Sequence, residues 1–215
     1  MYAIAYNRPC PAVFPPVLDP VRKDERVRTH LATIGSQTVE LPIVPVSSDL
    51  SIALFMTIDH GVRLVETAGA ELAEAFRDAN PEVVVAPATL GIPVAIAVTR
   101  ALGLDDYVIL QKSKKVHLGD ALAEEVHAIT STAGSTLLLD RARVGAVAGR
   151  RVLLVDDVIS SGSSSAAALR LLERAGAQVV GVGALLAEGE GWPEALLPYE
   201  DRLRVLGRIP LFRTP

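Results

Sequence analysis

The sequence predicts an α/β fold in which helices cover a central, mostly parallel sheet. Beyond residue 60, short runs of consecutive apolar residues alternate with segments whose apolar residues recur at the helical period. Strands that are apolar on successive residues are buried on both faces, as parallel strands between helix layers are. Half of the 215 residues are hydrophobic and 21% are charged, so the chain has the apolar content that such a core needs.

The first 60 residues lack this alternation and predict an irregular arm followed by a small antiparallel unit. Five prolines each remove a backbone donor from the arm; they are Pro9, Pro11, Pro15, Pro16 and Pro20. Within residues 27–46, two runs rich in β-branched residues flank Gly35-Ser36-Gln37, which predicts a β-hairpin.

Helices and strands then follow in order. The helical period predicts a helix over 65–79, which Asn80-Pro81 ends, before a strand over 83–86. A second cycle predicts a helix over 92–102 and a strand over 107–110. A third predicts a strand over 152–155, a helix carrying Ala168 to Ala175, and a strand over 179–186. Between Lys112 and Val147 the cycle is interrupted by a long excursion, which predicts a functional lid over about 112–135.

Composition excludes several classes of function. The net charge is −4, so no basic field favours nucleic acid or an anionic membrane as a partner. Cys10 is the one cysteine, which excludes an internal disulfide and a cysteine-based zinc site and is consistent with a reducing compartment. No apolar run approaches the roughly 20 residues of a membrane helix, and the start lacks a signal peptide's pattern. We therefore expect a soluble, cytoplasmic protein.

Residues 152–164 carry the strongest chemical signal. Four apolar residues deliver Asp156 and Asp157 to the carboxyl end of a strand, and a loop of serines with Gly162 then opens a helix. Free N–H groups at a helix start, serine hydroxyls and a glycine that permits close approach suit a phosphate. Two carboxylates would repel that phosphate, so we expect them to face sugar hydroxyls or Mg²⁺. The alternative is that the serines cap the helix and the carboxylates are solvated.

This segment resembles the ribose-phosphate signature of type I phosphoribosyltransferases, which transfer ribose 5-phosphate from phosphoribosyl pyrophosphate (PRPP) to a nitrogenous base. A weaker resemblance extends over about 83–186 and is closest to the purine branch, the adenine and xanthine enzymes and a related PRPP-sensing repressor. The resemblance implies a type I phosphoribosyltransferase fold with three parts: an N-terminal arm and hairpin hood over 1–60, a PRPP-binding core over 61–187, and a C-terminal hood or edge segment over 188–215.

The family implies a role for each position that matches its signature. Asp156 and Asp157 match the acidic pair that holds the ribose hydroxyls, and the resemblance implies Mg²⁺ as a nearby cofactor that the pair binds indirectly. Val158 and Ile159 match the apolar positions against which the base lies. The 5-phosphate loop corresponds to Ser160, Ser161, Gly162, Ser163 and Ser164.

Two further segments match the family more weakly. The loop that binds pyrophosphate corresponds to Ala88, Thr89, Leu90 and Gly91, which on its own is also an ordinary strand-to-helix turn. Lys112 and Lys115 match the basic positions that open the family's catalytic lid; the alternative is a solvated basic run. The family also implies a homodimer with the lids near the interface.

Departures from the family pattern bear on the base. Ser160 stands where some six-oxopurine enzymes carry an acidic residue, and Glu188 lies near the position of a lysine that reads the oxo group in xanthine enzymes. A carboxylate accepts from an amine and repels an oxo group, which favours adenine slightly. Leu90 and Gln111 replace polar or charged residues and remove positive charge from the pyrophosphate side.

Rival functions remain open at this stage. A non-catalytic PRPP sensor would use the same pocket, although the first 60 residues show no helix-turn-helix pattern. A general nucleotide-binding module lacks any Walker or dinucleotide signature, because Gly181-Val182-Gly183 falls inside a strand. Trp192, the one tryptophan, either stacks on the base or packs at an edge. The four histidines show no metal-ligand spacing.

Overall fold

The computed structural model describes residues 28–113, 120–126 and 135–213. Its helices and strands follow in the order β1 (Thr29–Ile34), β2 (Gln37–Pro45), β3 (Leu50–Ala53), α1 (Val62–Glu74), β4 (Val83–Pro87), α2 (Gly91–Ala101), β5 (Tyr107–Leu110), β6 (Leu122–Val126), β7 (Ser135–Leu139), β8 (Arg151–Ile159), α3 (Ser163–Arg174), β9 (Gln178–Glu188), β10 (Leu203–Ile209) and β11 (Leu211–Arg213). Short 3-10 helices lie at Thr57–Asp59, Arg77–Ala79, Arg141–Ala146 and Glu194–Arg202.

A five-stranded sheet in the order β10-β9-β8-β4-β5 forms the centre of the molecule, and all of its neighbouring strands are parallel. The predicted α/β fold is confirmed. The edge strand β10 was not predicted, because the sequence analysis ended the core at residue 187.

Successive residues of the central strands pack into two different cores. Val83 and Val85 of β4 pack with α3, whereas Val84 and Ala86 pack with α1 and α2 on the opposite face. All four side chains are fully buried, which accounts for their unbroken apolar runs. None of the described helices has the length and apolar character needed to cross a bilayer.

A second, antiparallel sheet in the order β1-β2-β3-β11 lies beside the central one; we call it the hood sheet. Its first two strands are the predicted hairpin, with register Ile34 to Gln37 at the turn. The backbone N–H of Gly35 donates to the carbonyl of Leu206 in β10 at 3.0 Å. The first and last described strands, β1 and β11, both belong to the hood sheet, and β11 directly follows β10 across Pro210.

The excursion after β5 contains an antiparallel pair, β6 and β7. Leu137 and Leu139 of β7 are fully buried against the core, and Gln111 forms a bridge with Leu138. The sequence analysis predicted no strands here, because a single apolar run of Leu137 to Leu139 does not distinguish a strand from a lid.

The glycines of Gly181-Val182-Gly183 are packing residues inside β9, as predicted. A Cβ atom on Gly181 would lie 2.5 Å from the ring of Phe76, so α1 and its extension require a glycine there. These glycines therefore take no part in a dinucleotide site.

Candidate functional site

A cavity of about 150 Å³ lies at the carboxyl edge of the central sheet, where α/β folds place their ligands. It joins segments from four parts of the chain: the end of β8, the start of α3, the β4–α2 loop and the second residue after β5. The lining residues are Ala88, Leu90, Lys112, Asp156, Asp157, Val158, Ile159, Ser160, Ser161, Gly162, Ser163, Ser164 and Ser165. The fold thus brings together three segments that the sequence analysis singled out separately.

The acidic pair lies inside β8 and not beyond its end, because the strand continues to Ile159. Asp157 is only 8% exposed, so the alternative of a solvated carboxylate pair does not hold. The Oδ1 atom of Asp156 accepts the backbone N–H of Asp157 at 2.9 Å. Asp157 is therefore buried and Asp156 half-buried, and the carboxylate of Asp156 is held by the backbone of its neighbour.

Burial dominates the protonation of this pair. It raises the pKa of Asp156 well above its usual range, and the neighbouring charge of Asp157 raises it further. Burial also raises the pKa of Asp157, against an opposing hydrogen bond from Asp156 and the charge of Lys112. A ligand that brings hydroxyl donors or positive charge would stabilise the ionised pair.

The serine-rich loop places hydrogen-bond donors at the start of α3. Gly162 has φ of 74°, a left-handed conformation that other residues rarely adopt, and as the N-cap it offers no side chain to the helix. The N–H of Ser163 has a long contact of 3.5 Å to the hydroxyl of Ser161. The first N–H groups of α3 therefore lack an intrahelical partner. The hydroxyls of Ser161 and Ser163 lie 2.9 Å apart. These donors at a positive helix end suit a phosphate.

The β4–α2 loop forms the opposite wall of the cavity. Ala88 and Leu90 line it, and Thr89 is exposed at the tip. The carbonyl of Leu90 accepts the hydroxyl of Thr57, which is buried, at 2.7 Å. Gly91 packs against the acidic pair, since a Cβ atom there would lie 3.0 Å from Oδ1 of Asp156.

Lys112 completes the cavity from the residues that follow β5. It is exposed, and its charge offsets part of the rise that burial causes in the pKa values of both aspartates. It is the lysine of the described residues that faces the acidic pair. Lys115, the second predicted lid residue, lies outside the described residues.

A second and larger cleft, of about 770 Å³, separates the core from the hood sheet. It shares Ser160 and Ser161 with the first cavity and includes Glu188. The hydroxyl of Ser160 donates to the carboxylate of Glu188. The remaining lining residues come from the hood sheet and its turns: Val46, Ser47, Leu50, Ile52 and Leu211.

The sequence analysis missed these hood residues. They are apolar or small positions in short strands, and no motif distinguishes them from an ordinary hydrophobic face. Of the three residues predicted to contact the base, Glu188 lies in the hood cleft, whereas Val158 and Ile159 line the first cavity. Val158 is half-buried there, and Ile159 is 1% exposed and packs in the core.

Trp192 lines neither cleft. It packs partly buried against the core cluster and lies beneath the guanidinium of Arg208, so the edge-packing alternative holds. Among the described residues, no group of three or more His, Cys, Asp or Glu side chains is placed to hold a metal ion.

The chain is similar to known proteins in sequence and in fold. Residues 57–199 match the family described as the phosphoribosyl transferase domain. The chain is 35% identical over 125 residues to a xanthine phosphoribosyltransferase of Exiguobacterium sp., covering 57% of this chain and 63% of that protein. It is 32% identical over 114 residues to a hypoxanthine/guanine phosphoribosyltransferase of Methanococcus voltae, covering 53% and 57%. The match thus spans less than two thirds of either relative.

A solved structure shares the fold. An adenine phosphoribosyltransferase from Thermoanaerobacter pseudethanolicus superposes with a TM-score of 0.61 at 20% identity, over 78% of this chain and 95% of that one. At this identity the likeness concerns the fold alone.

Proposed function

The chain belongs to the phosphoribosyl transferase domain family, and on that premise we propose that it transfers ribose 5-phosphate from PRPP to a purine base and releases pyrophosphate. One observation carries the proposal: a single cavity joins a buried carboxylate pair, a serine-rich helix start, a backbone loop and a lysine. The carboxylate pair suits the ribose hydroxyls of one substrate, and the helix start suits its 5-phosphate. The backbone loop and the lysine suit its pyrophosphate.

The residues of the cavity divide the work of binding. The carboxylates of Asp156 and Asp157 accept hydrogen bonds from the ribose hydroxyls, and the start of α3 binds the 5-phosphate. The β4–α2 loop and Lys112 hold the pyrophosphate, where negative charge develops as it leaves. A ring nitrogen of the base then displaces pyrophosphate at C1 of the ribose with inversion, and the acidic pair favours the positive charge that develops there.

The donor set suits Mg²⁺ as an ion held jointly by the protein and the substrate. Two buried carboxylates whose pKa values are raised by burial gain from a nearby cation, and oxygen ligands are the ones Mg²⁺ prefers. In this proposal, substrate oxygens and water would complete its coordination. When bound, Mg²⁺ supplies charge neutralisation for the departing pyrophosphate.

The hood cleft is the proposed base site, because it adjoins the ribose and phosphate positions through Ser160 and Ser161. Its polar side contains the carboxylate of Glu188, an acceptor for an exocyclic amine. We therefore assign an amine-bearing purine, adenine first, although the sequence relatives above are named for xanthine and for hypoxanthine and guanine.

Nothing in the described residues or the comparisons favours the alternative of a non-catalytic PRPP sensor. A homodimer and a cytoplasmic location stay predictions.

The proposal is tested by identifying the product. The full chain is incubated with PRPP, Mg²⁺ and an equimolar mixture of adenine, guanine, hypoxanthine, xanthine and orotate, and nucleoside monophosphates are detected by mass spectrometry. We expect a purine nucleoside 5′-monophosphate, with AMP dominant. PRPP binding without any nucleotide product would instead support the sensor.

A further inference from the structure

The turn that follows Glu188 is held by one side chain that no predicted motif contains. Arg208 lies on β10 next to Ala187 of β9, and its neighbour Ile209 is paired with Glu188. The Nη1 atom of Arg208 donates to the carbonyl of Gly189 at 3.0 Å and to that of Gly191 at 2.8 Å. A single guanidinium nitrogen therefore joins both sides of the turn.

The same guanidinium also covers the one tryptophan of the chain. Its Cζ atom lies 4.3 Å from the centre of the Trp192 ring, within the range at which a cation is attracted to an aromatic face. No carboxylate of the described residues forms an ion pair with Arg208. Its described partners are thus the turn and the ring.

The turn contacts both clefts of the candidate site. At its start, Glu188 lies in the hood cleft and accepts the hydroxyl of Ser160. At its end, Pro193 packs on Gly162, since a Cβ atom on Gly162 would lie 2.8 Å from Cβ of Pro193. The segment of residues 188–193 therefore connects the base-facing carboxylate with the backbone of the 5-phosphate loop.

We infer that Arg208 is a positioning residue for base recognition and that it acts through the turn at residues 189–192. We call Arg208 together with this turn the Arg208 clamp. This inference rests on the proposed function. The guanidinium, with its fixed planar donors, restrains the turn, and the restrained turn fixes the carboxylate of Glu188 against the hood cleft. Arg208 itself lines neither cleft.

The test compares Arg208→Ala, Arg208→Lys and, as a matched control, Arg204→Ala. Arg204 lies on the same strand, is exposed and donates to the adjacent carbonyl of Leu203. Steady-state kinetics give KM and kcat for adenine and for PRPP, and the emission of Trp192 gives a direct signal from the clamp because it is the one tryptophan.

We expect Arg208→Ala to raise the KM for the base about tenfold, the loss expected for one charge-assisted hydrogen bond, with less than about twofold change in kcat. Its Trp192 emission shifts to longer wavelength and becomes more accessible to acrylamide, because the ring loses its cover. Arg208→Lys keeps a cation over the ring and gives intermediate values. Arg204→Ala matches the wild type.

Two results overturn the inference separately from the proposed function. If the wild type forms nucleotide and Arg208→Ala shifts the emission but leaves the KM for the base unchanged, the clamp does not position the base site. An unchanged emission shows that the clamp itself is absent. If Arg208→Ala does not fold, the same criteria apply to Arg208→Lys. A wild type that forms no product contradicts the proposed function, whatever the emission shows.

Discussion

Asp156 and Asp157 lie side by side in a strand that is buried on both faces, where the folded state disfavours their charge. For an acid whose pKa is raised by folding, the protonated form is the one that the fold prefers. The protonated carboxyl therefore adds to the free energy of unfolding at acid pH, and this contribution is lost as the pH rises through the raised pKa. At neutral pH the ionised pair therefore costs stability, and the proposed ligand restores it.

This cost predicts that Asp156→Asn raises the melting temperature at pH 7–8 by about 2–4 °C, the shift that about 1 kcal/mol gives in a chain of this length. Asparagine keeps the acceptor for the N–H of Asp157 and removes the charge. The gain should shrink as the pH falls through the raised pKa values of the pair, because the wild-type carboxyls then lose their charge. Thermal unfolding followed by circular dichroism across this range checks the prediction, with the exposed Asp201→Asn as control. A wild type more stable than Asp156→Asn at pH 8 would contradict it.

Glu188 is the residue on which the identity of the base depends in this account. Replacing it with lysine exchanges an acceptor for a donor, so Glu188→Lys should move the preference from adenine toward an oxopurine. Mispaired polar groups cost roughly 1–3 kcal/mol each, so the ratio of kcat/KM values should change at least about tenfold. Glu200→Lys, at an exposed position in the 3-10 helix Glu194–Arg202, makes the same charge change outside both clefts and outside the Arg208 clamp. If the wild type already prefers xanthine or hypoxanthine to adenine, Glu188 does not face the base.

Helix α3 offers a comparison within one element. Gly162 before its start and Gly176 after its end both have positive φ values. A Cβ atom would meet Pro193 at Gly162 but nothing within 4 Å at Gly176. Alanine at either position should lower stability by about 1–2 kcal/mol or more through backbone strain.

The two variants should differ in ligand binding. Only Gly162→Ala displaces the donors of the proposed phosphate loop, so only that variant should weaken the binding of ribose 5-phosphate measured by calorimetry. Equal affinity in both variants would remove the start of α3 from the site.

In the proposed reaction, Lys112 in the segment after β5 provides the charge that faces the departing pyrophosphate. Lys112→Ala should lower kcat about tenfold or more and raise the KM for PRPP less, because negative charge on pyrophosphate develops in the transition state. Arg63→Ala, an exposed cation on α1, serves as the control in the same steady-state assay. An effect confined to KM would place Lys112 in ground-state binding only.

At the scale of the whole molecule, the central strands and the proposed PRPP cavity follow from local sequence. Runs such as Val83 to Ala86 are apolar on successive residues because both faces are covered, and Asp156-Asp157 followed by a serine loop is a continuous motif. The hood cleft does not follow in this way. Its walls come from residues 46–52, 160–161, 188 and 211, which only the tertiary fold brings together.

The Arg208 clamp and the hairpin of β6 and β7 likewise cannot be predicted from local sequence. Arg208 is twenty residues beyond Glu188 in sequence, and it reaches the turn because β10 pairs with β9 in parallel. The buried leucines of β7 carry no alternation that reveals their strand. Contacts of this kind depend on register and packing and leave no local signature.

The central claim is that the cavity containing the acidic pair is the PRPP site, and direct binding tests it without any base present. Isothermal titration of PRPP with Mg²⁺ into the wild type, Asp157→Asn and the control Asp201→Asn measures the affinity of each. The account predicts one site in the wild type and control, and at least about tenfold weaker binding in Asp157→Asn, since its charged acceptors contribute roughly 1.5–3 kcal/mol each. Unchanged affinity in Asp157→Asn, or no binding to the wild type, would contradict it.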